Sequence, residues 1–130
     1  MSEHPNAVAA RAGLDAFTRG DPATLAGLLS DDIVWHAPGR NPFAGTFEGK
    51  VATMERMQRM AREGIVWDFA IHDVVANDDH VVVLIEATLT KGGRSTHGRQ
   101  VQVMHVRDGM ITELWATNED QTANDELLSA

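Results

Sequence analysis

Ile33-Val34-Trp35-His36-Ala37-Pro38-Gly39-Arg40-Asn41-Pro42-Phe43-Ala44-Gly45-Thr46-Phe47-Glu48-Gly49 is the stretch on which the fold turns. Its first three residues are apolar and suited to a pleated strand, which runs straight into His36. Pro38-Gly39, Asn41-Pro42 and Ala44-Gly45 then bend the backbone. Proline presets φ and glycine admits positive φ, so the run encodes one fixed, tightly folded loop. A helix is expected from Gly49 to Glu63, with Met54, Met57 and Ala61 on one face. A lone titratable side chain at the mouth of such a strand is where a pocket would place its base.

Upstream of this stretch, Pro5 to Arg19 reads as an amphipathic helix, with Val8, Ala12, Asp15-Ala16 and Arg19 around a face that also carries Leu14 and Phe17. Gly20 stops it. Asp21-Pro22 combines an N-cap with proline at the first helical position and opens a second short helix through Leu25, Leu28 and Leu29. Ser30-Asp31-Asp32 is expected to break that helix before the strand begins.

Downstream, the period changes. Val66 to Ala76 alternates loosely, with Trp67, Phe69 and Ile71 on one face, and Asn77-Asp78-Asp79 makes a turn. His80 to Thr90 is strongly β-branched and reads as a strand mostly buried on both faces. Lys91-Gly92-Gly93-Arg94 is a hairpin turn, and Ser95 to Arg107 returns as a long strand. Asp108-Gly109 is the strongest hairpin signal in the chain. Met110 to Asn118 is the last strand, followed by a short polar tail from Asp120 to Leu128 with helical character. Helices gathered ahead of a meandering sheet give an α+β fold, one domain spanning 1–130. N-terminal helices would cover the inner face of a curved, mostly antiparallel sheet and leave an apolar hollow at the open end.

Composition narrows the function classes. The 130 residues carry a formal net charge of −8, with Lys and Arg few and scattered. No basic stripe or RNA-binding aromatic motif appears, so no nucleic acid and no membrane are expected as partners. The chain has no Cys, which excludes disulfides and thiol catalysis, and no Tyr, which removes one common general acid. Met1-Ser2-Glu3-His4-Pro5 lacks the basic-then-apolar pattern of a secretory signal, and a cytoplasmic location is expected. Neither a glycine-rich nucleotide loop nor another cofactor signature is present, so no cofactor and no metal are expected.

The element order and the bent loop together resemble the nuclear-transport-factor-2-like (NTF2-like) superfamily, whose members form an α+β cone with an internal pocket. Within it the chain looks most like the SnoaL-like and ketosteroid-isomerase-like branch. The resemblance covers essentially the whole chain. Its local marks are Gly20-Asp21, the loop residues Gly39, Pro42, Gly45 and Thr46, then Val75-Ala76-Asn77, and Gly93-Arg94 with Thr96. Laid over the loop without a gap, the isomerase general base falls on His36. The oxyanion-hole tyrosine falls on or beside Gly13, and the protonated oxyanion-hole aspartate falls on Gln102. A base type is kept, one donor is lost, and the other becomes a neutral amide, which argues against steroid isomerisation by that chemistry. SnoaL-like proteins also tend to carry an acid where the last strand leaves the sheet, a place taken here by Asp120, or by Glu119 one residue earlier. The epoxide hydrolases of the superfamily need an Asp-Arg-Asp set with Tyr and Asn; Arg99 is available, but the tyrosine and the following Asp are not.

The resemblance thus implies a small-molecule pocket for an apolar or carbonyl-containing compound, and a homodimer. Cofactor-independent acid–base chemistry is the expected activity: proton transfer, aldol closure or dehydration by an isomerase, cyclase or lyase. The alternative is a non-catalytic ligand-binding or stress-associated module. His36 would be the base, or would hold the turn by hydrogen bonding the loop backbone. Asp120 would orient His36 or act as a second acid, or would cap the C-terminal helix. Gln102 shares strand parity with Met104, and the resemblance puts Leu114 and Asn118 on the same inner face. Those four and Trp35 are the expected substrate-binding residues. His97, Arg99 and His105 alternate on the opposite face, where the superfamily commonly dimerises. Trp67 and Trp115 could line either the pocket or an interface.

Overall fold

The structure, a computed structural model, describes residues 3–130, so Met1 and Ser2 of the N-terminal segment lie outside the described residues. Helix α1 spans Pro5–Arg19 and α2 spans Pro22–Leu28. His4 caps α1 by accepting the Asn6 N–H at 3.0 Å, and Gly20 ends it in the left-handed region at φ 68°. Asp21 caps α2, accepting the Thr24 N–H at 3.2 Å. The buried side of α1 is Ala7, Ala10, Gly13 and Leu14 rather than the expected Val8 and Asp15; Val8 is 53% exposed. Small residues face the sheet because the helix lies close to it: a side chain at Gly13 would be in van der Waals contact with Ile111.

Strand β1 is Leu29–Ala37 and β2 is Gly45–Glu48, with α3 following at Lys50–Arg62. β1 starts earlier than the sequence suggests and takes in Ser30-Asp31-Asp32. Its pairing with the last strand is irregular between Leu29 and Val34, so Asp31 and Asp32 stay in solvent while the backbone remains extended. The bent loop contains a strand the sequence does not announce: β2 pairs antiparallel with β1, Trp35 opposite Phe47 and His36 opposite Thr46. A strand of 4 residues flanked by glycines is too short for its alternation to be read. Helix α3 pins the loop from above. Arg56 Nε donates to the Phe43 carbonyl at 2.8 Å, Arg59 Nη1 donates to that of Pro42 at 3.2 Å, and the Arg59 guanidinium stacks 4.5 Å from the Phe43 ring centre.

The rest is a meander, β3 (Val66–Ala76), β4 (His80–Lys91), β5 (Arg94–Arg107) and β6 (Met110–Asn118), closed by helix α4 (Gln121–Ser129). Asp108 and Gly109 both have positive φ, 52° and 75°, the backbone of a type I′ turn whose twist matches the strands it joins. The six strands lie in the order β2-β1-β6-β5-β4-β3, with only β1 and β6 parallel. The mixed, curved sheet is not closed. Helices cover one face of it, and there Val81, Val83, Ile85, Met104 and Leu114 form the core with Ala10, Leu14 and Leu25. β4 is therefore buried on one face and only half-buried on the other, where Val82 and Leu84 lie, not buried on both as its composition suggests. Among the described residues no helix is long and apolar enough to cross a membrane.

Candidate functional site

Between the helices and the inner face of the sheet lies a cavity that opens to solvent at its mouth. Its walls are apolar where α1 contributes Leu14 and Phe17, β3 contributes Trp67 and Phe69, and α3 contributes Met57. Polar groups enter from one side: Gln100, Gln102 and Asn118 from β5 and β6, Asn41 from the loop, and Gln121 and Asn124 from α4. An apolar body with a few polar groups gathered on one wall is the usual make-up of a ligand pocket.

The residues expected to bind substrate, Trp35, Gln102, Met104, Leu114 and Asn118, all line this cavity. The two expected catalytic residues do not. β1 has a period of two, so with Ile33, Trp35 and Ala37 turned inward His36 is turned to the outer face of the sheet. There its ring stacks on Trp115 with centres 5.0 Å apart and 10° between planes. His36 Nε2 donates to Glu113 Oε2 at 2.7 Å, and the Thr46 hydroxyl lies 3.4 Å from Nδ1. His105 Nδ1 is 3.3 Å from the other oxygen of Glu113, and the His105 ring meets Trp115 and His80 edge-on. A bulge at Thr112 makes this possible. Opposite His105-Val106, β6 spends one extra residue, so Ile111 and Leu114 both face the core while Glu113 faces out. Asp120 is the N-cap of α4, its Oδ1 accepting the Ala123 N–H at 3.0 Å, and is exposed. Glu119 is likewise exposed, beside Arg99. Trp67 lines the cavity, whereas Trp115 belongs to the outer face.

The charged residue in the cavity wall is Arg56, which the sequence reading passes over. Among the described residues it is the only ionisable side chain lining the cavity, and none of their carboxylates lies within ion-pairing distance of it. Burial pushes its pKa down to about 10, so it remains a cation at neutral pH. Its Nε is committed to the Phe43 carbonyl, and its guanidinium carbon lies 5.5 Å from the centre of the Phe47 ring. The signal in the sequence is an arginine on the same stripe of α3 as Thr53, Met57 and Met60, the side that faces the core.

Gln102, expected as a donor to a substrate oxygen, has its amide nitrogen engaged. Gln102 Nε2 donates to Gln100 Oε1 at 2.8 Å, and Gln100 Nε2 donates to Asn118 Oδ1 at 2.8 Å. Asn118 Nδ2 donates to Gln121 Oε1 at 2.8 Å, and Gln121 Nε2 to Asp125 Oδ1 at 2.9 Å. Gln102 Oε1 is the one buried side-chain polar atom among the described residues that has no partner. Asp125 also accepts from Asn41 Nδ2 at 2.8 Å. Its desolvation favours the neutral form, but the hydrogen bonds from Asn41, Gln121 and the Arg40 backbone, with the charge of Arg40, outweigh that and hold its pKa below the ordinary value. Gly39 lets the loop reach this end of the chain: at φ 100°, a Cβ there would run into Asp125 Oδ1 and Gln121 Nε2.

Comparison with known proteins agrees with this architecture. A search of curated proteins finds no match. Among solved structures, Bal32a from a soil-derived mobile gene cassette is 28% identical, with 95% of this chain and 96% of that one aligned at a TM-score of 0.87. A Xanthomonas campestris protein of unknown function with a cystatin-like fold is also 28% identical, over 96% and 98% of the two chains, at 0.87. An NTF2-like protein of unknown function from Burkholderia pseudomallei shares the fold at 21% identity, over 98% and 100% of the two chains, with a TM-score of 0.88. The model of the SnoaL-like domain matches residues 10–114, from the middle of α1 to the strand that carries Leu114. With that match over most of its length and an NTF2-like architecture around the cavity, the chain belongs to the SnoaL-like family.

Proposed function

We propose that this protein binds a small molecule with an apolar body and an anionic or carbonyl oxygen, the oxygen set against Arg56. The carrying observation is that guanidinium, a cation in the cavity wall without a carboxylate partner among the described residues. Arg56 is half-buried and its Nε is already engaged, so the remaining guanidinium N–H groups gain from a ligand oxygen that compensates their partial loss of water. Trp35, Trp67 and Phe69 offer flat apolar surface for the ligand body. Proton transfer by a protein base needs a titratable group within hydrogen-bond reach of the substrate. With His36 and Asp120 off the cavity, the geometry favours binding over that chemistry.

A second reading keeps the cyclase, isomerase or dehydratase class. Arg56 is suited to hold an enolate oxygen as its charge develops, with water as the proton acceptor. One experiment separates the two. Apolar ketones, enones and aryl carboxylates are titrated while tryptophan fluorescence is followed, and every hit is checked for product. Binding without product supports the first reading, and turnover supports the second. Arg56→Met should weaken binding of a carboxylate by about 10- to 100-fold, the range for a hydrogen bond to a charged group. Unchanged affinity in that variant would remove the basis of both.

A further inference from the structure

The cavity wall contains a chain of amides whose direction is set from its far end. Each link joins residues that secondary structure makes neighbours. Gln102 and Gln100 are two apart on β5; Gln100 and Asn118 are cross-strand partners; Asn118 and Gln121 flank the start of α4; Gln121 and Asp125 are one helical turn apart. A primary amide can be turned either way, its oxygen and nitrogen exchanging roles. A carboxylate cannot, because when ionised it has no hydrogen to give. Asp125 at the solvent end is such a group, surrounded by donors from Asn41 and the Arg40 backbone. Gln121 must therefore turn its NH₂ toward Asp125 and its oxygen toward Asn118. The same constraint passes to Asn118, to Gln100 and finally to Gln102. The last amide has its nitrogen used and its oxygen left over, and that oxygen is the unpartnered Oε1 of Gln102, a residue only 3% exposed.

We infer that Gln102 Oε1 is a specificity-determining acceptor that selects ligands bearing a hydroxyl or N–H group, and that Asp125 imposes this preference through the amide chain. The inference rests on the cavity being the ligand site. It adds that the ligand is bifunctional: an acceptor or anionic oxygen for Arg56 and a hydrogen-bond donor for Gln102. It also replaces the expected role of Gln102, from donor to a substrate oxygen to acceptor from a substrate hydrogen. A buried acceptor left without a partner costs the desolvation of that group, so an ether or a second carbonyl at this point is rejected far more strongly than its size would suggest.

The test compares matched ligands that differ only in the hydrogen: 4-hydroxybenzoate against 4-methoxybenzoate, and 6-hydroxy-2-naphthoate against 6-methoxy-2-naphthoate. Calorimetric titration gives an affinity ratio within each pair, and the shared carboxylate cancels from it. In the unmodified protein the hydroxyl member should bind about tenfold or more tightly. Gln102→Leu removes the acceptor and should bring the ratio below about threefold. Two substitutions at one position then probe direction. Gln121→Glu, made together with Asp125→Asn so that no carboxylate faces it, is acceptor-only toward Asn118 and should keep the preference. Gln121→Lys is donor-only, forces Asn118 and Gln100 to turn, and should abolish or reverse it. A methyl ether that binds as tightly as the hydroxyl compound in the unmodified protein overturns the inference while the cavity reading stands. Equal ratios in the Glu and Lys variants overturn the part assigned to Asp125. If no member of either pair binds, the cavity reading fails and the inference falls with it.

Discussion

The two faces of the sheet carry comparable sets of polar side chains and put them to different uses. On the inner face, Gln100, Gln102 and Asn118 are joined end to end, closed in by helices, with one buried oxygen of the cavity-lining Gln102 left over. On the outer face, Glu113 is shared by His36, which stacks on Trp115, and His105, which meets Trp115 edge-on, and the partners close on one another. Residue chemistry alone ranks them the other way, because histidine and glutamate are the stronger acid–base groups. What separates the faces is enclosure. A hydrogen-bonding group becomes a recognition element when the fold removes water from it and leaves it unpaired, and that happens on the inner face only among the described residues.

The comparison can be broken or sharpened by substitution. The largest effect on folding should come from Gly39→Ala, which forces a side chain into a left-handed backbone and against Gln121 and Asp125. A loss of about 2 kcal/mol or more is expected in chemical denaturation. A loss under about 0.5 kcal/mol would mean that the loop does not brace the amide chain. His36→Ala should cost about 1 kcal/mol, since it removes one partner of a half-buried carboxylate, and should leave ligand affinity within about twofold. A collapse of affinity instead would place His36 in the binding machinery and erase the distinction between the faces. Asp120→Ala removes a helix cap and should cost about 1 kcal/mol with no change in affinity. The smallest effect is the acid limb of stability. Asp125 has a lowered pKa when folded, so its contribution is complete above the ordinary carboxylate value and lost as pH falls through the folded one. Melting curves of the unmodified protein and Asp125→Ala should therefore differ at neutral pH and converge in acid; a constant gap would contradict the sign.

The correspondence between sequence and structure is uneven in an instructive way. Asp21-Pro22, Gly20 and Asp108-Gly109 are found where their local chemistry puts them, because caps and type I′ turns are decided within a few residues. The parity of β5 is right for the same reason, and Gln102 and Met104 face inward together. The reading fails where a residue's neighbour comes from elsewhere in the chain. His36 is misplaced although Trp35 and Ala37 beside it, by alternation, already require it to face out. Strand β2 is hidden because it exists through its pairing with β1.

By itself, the sequence determined the succession of elements apart from β2, the caps and turns, the absence of thiol chemistry and the side of β5 that is apolar. These depend on backbone preferences and on a period of two or 3.6, which act over short range. Tertiary structure alone decided that an arginine of α3 lies in a pocket wall, that Glu113 meets both His36 and His105, and that amides from two strands and a helix line up behind one carboxylate. Enclosure and hydrogen-bond direction belong to sets of residues far apart in the chain. They come into being only when packing removes the water that would otherwise satisfy each group separately.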